Sequence, residues 1–282
     1  MEKIGWIGLG NMGFPMVINL LSSNYEVNVY TSKLEKAKSI EDKGAHIFPS
    51  IVDVAQASDI IFLMLPDDNA CEETLNRMKS SGLTGKLIVN MSTVSPKASA
   101  RFDTEMKERK ARYFEAPVSG SVKPATEGTL TILAAGQKED LDYLSGCFGV
   151  LGKKTFYLGE IGKALYAKMV INYYMSIVVC GLADSVLFAE KLGLADGQIL
   201  DMINASACAS GMTQIKAPSI IKRDFKPAFP LKYMLKDLKL SKDIGLTGAL
   251  GDLMLDLYGQ ANEDYGQYDL MAIFSYIESK NR

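Results

Sequence analysis

Up to about residue 160 the chain alternates short apolar runs with longer amphipathic stretches. KIGWIG, EVNVYT, DIIFLML, KLIVNMST, ARYFEAPVSGS and TLTILAAG have strand length, and several are apolar at consecutive positions rather than at every second one. That pattern marks strands covered on both faces, as in a parallel sheet. The first intervening segment, FPMVINLLSS, has helical spacing instead. After TFYLGEIG (155–162) the pattern changes. ALYAKMVINYYMSIVVCGLA (164–183), LADSVLFAEKLGL, QILDMINAS and MAIFSYIESK all read as helices, and no convincing strand follows residue 160.

The first strand runs into GLGNMG: Gly8, Leu9, Gly10, Asn11, Met12 and Gly13. In a strand–turn–helix context, the first glycine permits the tight turn and the second lets a pyrophosphate approach the backbone. The third lets helix and sheet pack closely, and the helix N-terminus offers N–H groups to the phosphates. A simple glycine-rich βα turn is the alternative. The expected fold class is therefore α/β. Residues 1–160 would form a Rossmann-like, doubly wound, mostly parallel sheet that binds a nicotinamide dinucleotide. Residues 161–282 would form an all-α substrate and oligomerisation domain beginning with a long interdomain helix.

The second strand ends in Thr31, Ser32 and Lys33, with no acid to hold a ribose 2′-OH. Two hydroxyls and an ammonium suit a 2′-phosphate, which favours NADP(H) and leaves NAD(H) possible. Ligands of open α/β sheets lie beyond the carboxyl ends of the strands, so Met64, Leu65, Pro66 and Thr93 fall near the ribose and nicotinamide. Ser119, Gly120 and Ser121 form a turn whose hydroxyls and N–H groups could receive a small carboxylate, or could simply be a loop.

Composition narrows the chemistry. With 48% hydrophobic and 23% charged residues over 282 positions, the chain reads as a globular protein of two domains. A net charge of −2 without charge blocks implies neither nucleic acid nor an anionic membrane as partner. Cys71, Cys147, Cys180 and Cys208 are scattered and read as buried free thiols of a reducing, cytoplasmic compartment. The one histidine, His46, makes a metal site or a histidine-based mechanism improbable. No signal peptide is expected before the first strand. The 164–183 run has spanning length, but Lys168, Asn172 and flanks without cationic asymmetry argue for a buried core or interface helix.

Lys168 is the only charge in that run, and Asn172 lies one turn later on the same face. An ammonium in an apolar helix needs a compensating environment. If its face lines a cleft beside a nicotinamide, Lys168 could protonate the alkoxide formed as hydride reaches a carbonyl carbon, with Asn172 fixing the geometry. Equally, the lysine could snorkel to solvent. Near the end, Lys236 could reach the cofactor with Asp237 orienting it, although an ordinary exposed ion pair fits the spacing better.

Together, IGWIGLGNMGFPM, EAPVSGSVKPATEGTLTIL, GKALYAKMVIN and FPLKYMLKDLKL resemble, in order, four signatures of the β-hydroxyacid dehydrogenase family. The resemblance is greatest to its glyoxylate/succinic semialdehyde reductase branch. It implies NADPH-dependent reduction of a small carboxylate-bearing aldehyde by a homodimer or homotetramer. It further implies Lys168 as catalytic acid supported by Asn172, Ser119 and Gly120 at the substrate carboxylate, Thr93 and Lys236 at the cofactor, and Phe229 and Asp237 at the far wall of the site. Two positions depart from the pattern. Ala164 replaces a glycine, and Thr31-Ser32-Lys33 replaces Asn-Arg-Thr. Alternatives are an NAD-dependent 3-hydroxyisobutyrate-type dehydrogenase and a cofactor-binding module without turnover.

Overall fold

The computed structural model describes residues 2–281, apart from the side chain of Leu34. Six strands form one parallel sheet: β1 (Ile4–Ile7), β2 (Val27–Tyr30), β3 (His46–Ile47), β4 (Ile60–Leu63), β5 (Leu87–Asn90) and β6 (Arg112–Glu115), in the order β3-β2-β1-β4-β5-β6. Between them run α1 (Gly13–Ser22), α2 (Leu34–Glu41), α3 (Ile51–Ala57), α4 (Asp68–Met78) and α5 (Pro96–Glu108). The reversal of strand order lies between β1 and β4, which pair directly in parallel. That is the switch point at which such sheets bind ligands.

Period-two alternation within the strands divides the side chains between two cores. Ile4, Trp6, Ile60, Phe62, Leu87 and Val89 enter one core with Met16 and Leu20 of α1. Ile61, Leu63 and Ile88 enter the other with Val54, Leu75 and Phe102 of α3, α4 and α5. Apolar runs without polar alternation are what a sheet buried on both sides requires. Each such large side chain contributes roughly 1.5–3 kcal/mol by leaving water.

The strand expected at 111–121 breaks at Ala116-Pro117. Its second part, β7 (Val118–Ser119), opens a separate sheet ordered β7-β8-β9, with β8 (Leu130–Ala134) and β9 (Gly152–Tyr157). β7 pairs antiparallel with β8, and β8 parallel with β9. Two helices belong to this region, α6 (Val122–Thr126) and α7 (Lys138–Leu151). The short β3 and the start of β9 lack a periodic signal and went unanticipated.

By contacts the chain separates into two compact units, Met1–Lys168 and Met169–Arg282. The division falls inside α8 (Lys163–Lys191), whose first turns belong to the first unit. There Ala164 packs on Leu133 and Ala135, and Leu165 joins the second core of the parallel sheet. Among the described residues α8 alone is long and apolar enough to cross a bilayer. It carries Lys168, Asn172 and Ser176, all buried, at four-residue spacing.

The second unit holds the rest of α8 with α9 (Asp196–Ala205), α10 (Gly211–Lys222), α11 (Leu231–Asp243), α12 (Ala249–Tyr265) and α13 (Ile273–Asn281). Its core gathers Val179, Ala183, Val186, Met234, Leu238, Met254, Tyr258 and Phe274. One expectation fails on burial. Cys71, Cys147 and Cys180 are buried thiols, but Cys208 is exposed, because it lies in the connection between α9 and α10 rather than on a core-facing helix position.

Candidate active site

The glycine turn follows directly from β1 at the switch point. Gly8 has φ +109°, and a Cβ there would stand 2.3 Å from the Met64 carbonyl oxygen at the end of β4. A Cβ on Gly13 would stand 2.0 Å from the Gly8 carbonyl oxygen. Gly10 is different: a Cβ there would meet nothing within 4 Å. Two glycines are thus demanded by the protein's own packing, while the third leaves backbone bare toward open space. α1 then begins without an acid in its first turn and without a side-chain cap at Met12. The Phe14 N–H is already taken by the Gly10 carbonyl at 3.1 Å and Pro15 has none, so an anion would meet the backbone of the turn itself. The turn therefore fits a dinucleotide pyrophosphate, with Leu9, Gly10, Asn11 and Met12 as the backbone it would meet.

Thr31 is half-buried, and Ser32 and Lys33 are exposed. The Thr31 hydroxyl accepts the Lys33 N–H at 3.2 Å. Sequence reasoning passed over Lys36, whose ammonium donates to the Leu9 carbonyl at 2.8 Å and so crosses from α2 to the glycine turn. Burial, helped by the neighbouring Lys33 cation, holds its pKa below the usual lysine range. Lys33 is thus near enough to Lys36 for each cation to disfavour the other's charge.

Beyond β4, Met64 and Leu65 are half-buried and Pro66 exposed, with Thr93 half-buried beyond β5. Ser92, also unanticipated, accepts the Leu65 N–H at 2.8 Å and ties the two strand ends together. In the following loop Gly120 has φ +137°, and a Cβ there would lie 2.8 Å from Leu130. No other residue fits that backbone, which exposes the turn between half-buried Ser119 and Ser121.

Glu115 ends β6. It is 1% exposed, and its Oε1 accepts the Gly162 N–H at 2.8 Å. Burial pushes its pKa up to about 7, opposed by the hydroxyl of Ser99 and the N–H groups of Gly162 and Ala164. Lys168 follows on α8 and is 7% exposed, so its ammonium does not snorkel to solvent.

In the second unit Asn172, 1% exposed, donates its side-chain amide to Asp237 Oδ2. Lys236 lies 3.3 Å from the other Asp237 oxygen. The ion pair that the spacing favoured is thus present, but Asp237 is buried and also holds Asn172. Phe229 is half-buried, with its ring 6.5 Å from that of Tyr233. Its backbone is set by Asp269, whose Oδ2 accepts the N–H groups of Ala228 and Phe229, each at 3.1 Å.

Comparison with known proteins assigns both halves of the chain. Residues 3–159 match the NAD binding domain of 6-phosphogluconate dehydrogenase, and residues 162–277 match the NAD-binding domain of NADP-dependent 3-hydroxyisobutyrate dehydrogenase. Glyoxylate/succinic semialdehyde reductase 1 of Arabidopsis thaliana is 32% identical over 98% of each chain. A solved Mycobacterium tuberculosis 3-hydroxyisobutyrate dehydrogenase with L-serine superposes with TM-score 0.89 at 26% identity, covering 98% of this chain and 99% of that one. The cytokine-like nuclear factor N-PAC of Xenopus tropicalis is 34% identical over 86% of this chain, which spans only 46% of that protein.

Proposed function

Since this chain belongs to the β-hydroxyacid dehydrogenase family of NAD(P)-dependent oxidoreductases, we propose that it reduces a small carboxylate-bearing aldehyde of the glyoxylate or succinic semialdehyde type with NADPH, Lys168 being its general acid. The observation that carries this reading is the buried Lys168 ammonium, the one charge in the 164–183 run of α8. Full-length similarity to the Arabidopsis reductase supports the substrate class.

Bound nicotinamide supplies the hydride that the carbonyl carbon accepts. Lys168 hands a proton to the carbonyl oxygen as negative charge develops there, which completes the hydroxyl group. In the oxidative direction the same amine removes that proton. Ser119, Gly120 and Ser121 hold the substrate carboxylate through N–H and hydroxyl groups, and this fixes which face of the carbonyl is presented. Asn172, steadied by Asp237, orients the reacting polar groups, and Phe229 supplies an apolar wall. Gly8 to Gly13 would hold the pyrophosphate, and Met64, Leu65, Pro66, Thr93 and Lys236 are the further residues that would contact the cofactor. Lys33 and Lys36 beside the turn support NADP(H) over NAD(H), since the extra phosphate relieves their mutual repulsion.

The exposed apolar side chains Val170, Tyr174 and Phe188 along α8 support a homodimer or homotetramer; sedimentation would report the assembly directly.

The test is a spectrophotometric panel of glyoxylate, succinic semialdehyde, methylglyoxal and 3-hydroxyisobutyrate with each nicotinamide, repeated on Lys168→Ala. The expected result is NADPH-dependent reduction of a carboxylate-bearing aldehyde. Turnover of the variant should fall by about 10²- to 10⁴-fold with NADPH affinity retained. A variant keeping more than half the wild-type rate would overturn the lysine assignment. Equal or reversed affinities for NADPH and NADH would overturn the cofactor assignment. Preferential NAD-dependent oxidation of 3-hydroxyisobutyrate would move the chain to the dehydrogenase reading.

A further inference from the structure

α8 begins at Lys163 with no acid in its first turn. Gly162 precedes it at φ +95°, and its carbonyl accepts the first helical bond from the Tyr166 N–H at 2.9 Å. Gly162 is thus the N-cap residue, and a glycine has no side chain to satisfy orphan N–H groups. In a capping box the N-cap N–H is satisfied by an acid three residues into the helix. Leu165 occupies that place here. The missing acceptor comes from another part of the fold: Glu115 Oε1, 47 residues earlier, receives the Gly162 N–H at 2.8 Å.

Glu115 stands at a junction. It ends β6, its backbone pairs in both directions with Ala135 at the end of β8, and four residues later comes Ser119. Its carboxylate therefore joins the strand that leads into the Ser-Gly-Ser turn to the helix that carries Lys168. Ala164 and Ala167, small residues seated against Leu133 and Ala135, let the first turns of α8 lie close on β8. The same first turn is tied to the end of β6 through the Glu115 carboxyl, which takes the Gly162 N–H and is also favoured in its charged form by that of Ala164.

We propose that Glu115 is a positioning residue: by capping α8 from the end of β6, it sets the Lys168 amine relative to the 119–121 turn. This rests on the reading of Lys168 as general acid. A rigid tie of this kind matters because a displacement of about 1 Å at a reacting group costs on the order of 10²-fold in rate.

The carboxyl is also poised to titrate. Oε2 is buried without a hydrogen-bond partner, so the ionised form is incompletely solvated. Facing it are the Asp103 carboxylate from α5, which disfavours its charge, the Tyr113 phenol of its own strand, and the Ser99 hydroxyl, which favours the charge. Burial dominates and places the pKa at about 7. The ionised form caps a helix N-terminus more strongly than the neutral acid, by a factor of about two to five. Turnover should therefore rise modestly as pH passes through 7.

The experiment compares Glu115→Gln, Glu115→Ala and Lys168→Ala with the wild type. Gln keeps one carbonyl acceptor for the Gly162 N–H but cannot ionise. It should resemble the low-pH form of the wild type, with kcat within about fivefold of the high-pH wild-type value and no rise between pH 6 and 8. Ala removes the acceptor, and kcat should fall about 10- to 100-fold while the NADPH dissociation constant stays unchanged. A Gln profile that overlays the wild-type profile would overturn the proposal, and that arm decides even if the Ala variant does not fold. If Lys168→Ala is inactive while folded Glu115→Ala keeps more than half the wild-type kcat, this proposal alone fails. If Lys168→Ala itself keeps its rate, the lysine assignment fails instead.

Discussion

Each unit of the molecule contains a buried carboxylate that anchors a loop, and the two are built on opposite terms. In the second unit Asp269, 3% exposed, collects four donors: the Lys216 ammonium at 2.6 Å, the Met271 N–H at 3.0 Å, and the Ala228 and Phe229 N–H groups at 3.1 Å. Lys216 is itself buried, so charge and hydrogen-bonding capacity are matched inside the core. In the first unit Glu115 receives the Gly162 N–H at 2.8 Å, with the Ser99 hydroxyl and the Ala164 N–H also favouring its charge, but the charged neighbour that shifts it is the Asp103 carboxylate, and its Oε2 lacks a hydrogen-bond partner. A carboxylate supplied with donors and a counter-ion serves as a fixed staple. One left short of them carries a protonation equilibrium near neutral pH, and it can link pH to the position of what it holds.

Removing the staple should have the largest effect. Asp269→Ala leaves the Lys216 charge and three N–H groups buried without their acceptor, and should destabilise the protein by about 3–5 kcal/mol in urea denaturation. A loss below about 1 kcal/mol would mean the second unit does not depend on this pair.

Titrating Glu115 comes next. Its folded pKa, about 7, exceeds the ordinary 4.5, so between these values the native state binds more protons than the unfolded one. The stabilisation is complete below pH 4.5 and is lost as pH rises through 7, a change of about 3 kcal/mol. Measured stability of the wild type relative to Glu115→Gln should fall across this window. A flat difference would place the Glu115 carboxyl among ordinary paired acids and erase the contrast with Asp269.

Lys216→Met should have the smallest effect of the three, about 1–3 kcal/mol, since three backbone N–H groups still satisfy Asp269. A loss as large as that of Asp269→Ala would show that the counter-ion, rather than the backbone donors, holds the 225–231 segment in place.

What could be read from the chain beforehand divides along the same line. The glycine turn was legible because strand, turn and helix are contiguous, although the Met64 carbonyl that Gly8 must clear comes from the end of β4. The greasy helix and its lone Lys168 were legible for a similar reason, since periodicity follows a single element. The partners were not. Asn172 was expected to fix the geometry beside Lys168, but nothing in the string announces that its amide donates to Asp237, 65 residues away. Lys36 looked like any other lysine on an exposed helix until its ammonium was found on the Leu9 carbonyl. Glu115 sits inside the EAPVSGS motif, but nothing in the string says that its carboxyl turns toward the start of α8. The second sheet was missed because β6 and β7 are continuous in hydrophobicity across Ala116-Pro117, and only strand pairing separates them.

The order and spacing of apolar residues by themselves determined a parallel sheet with a phosphate-binding turn, a helical second half, and a charged group stranded in a long apolar helix. Tertiary structure decided which distant group satisfies each buried polar atom: Glu115 for Gly162, Asp237 for Asn172, Asp269 for Lys216. The reason is that hydrophobic burial depends on pattern and is largely indifferent to the identity of the neighbour. A buried hydrogen bond or ion pair instead needs one particular partner within about 3 Å, and only the completed fold brings it there.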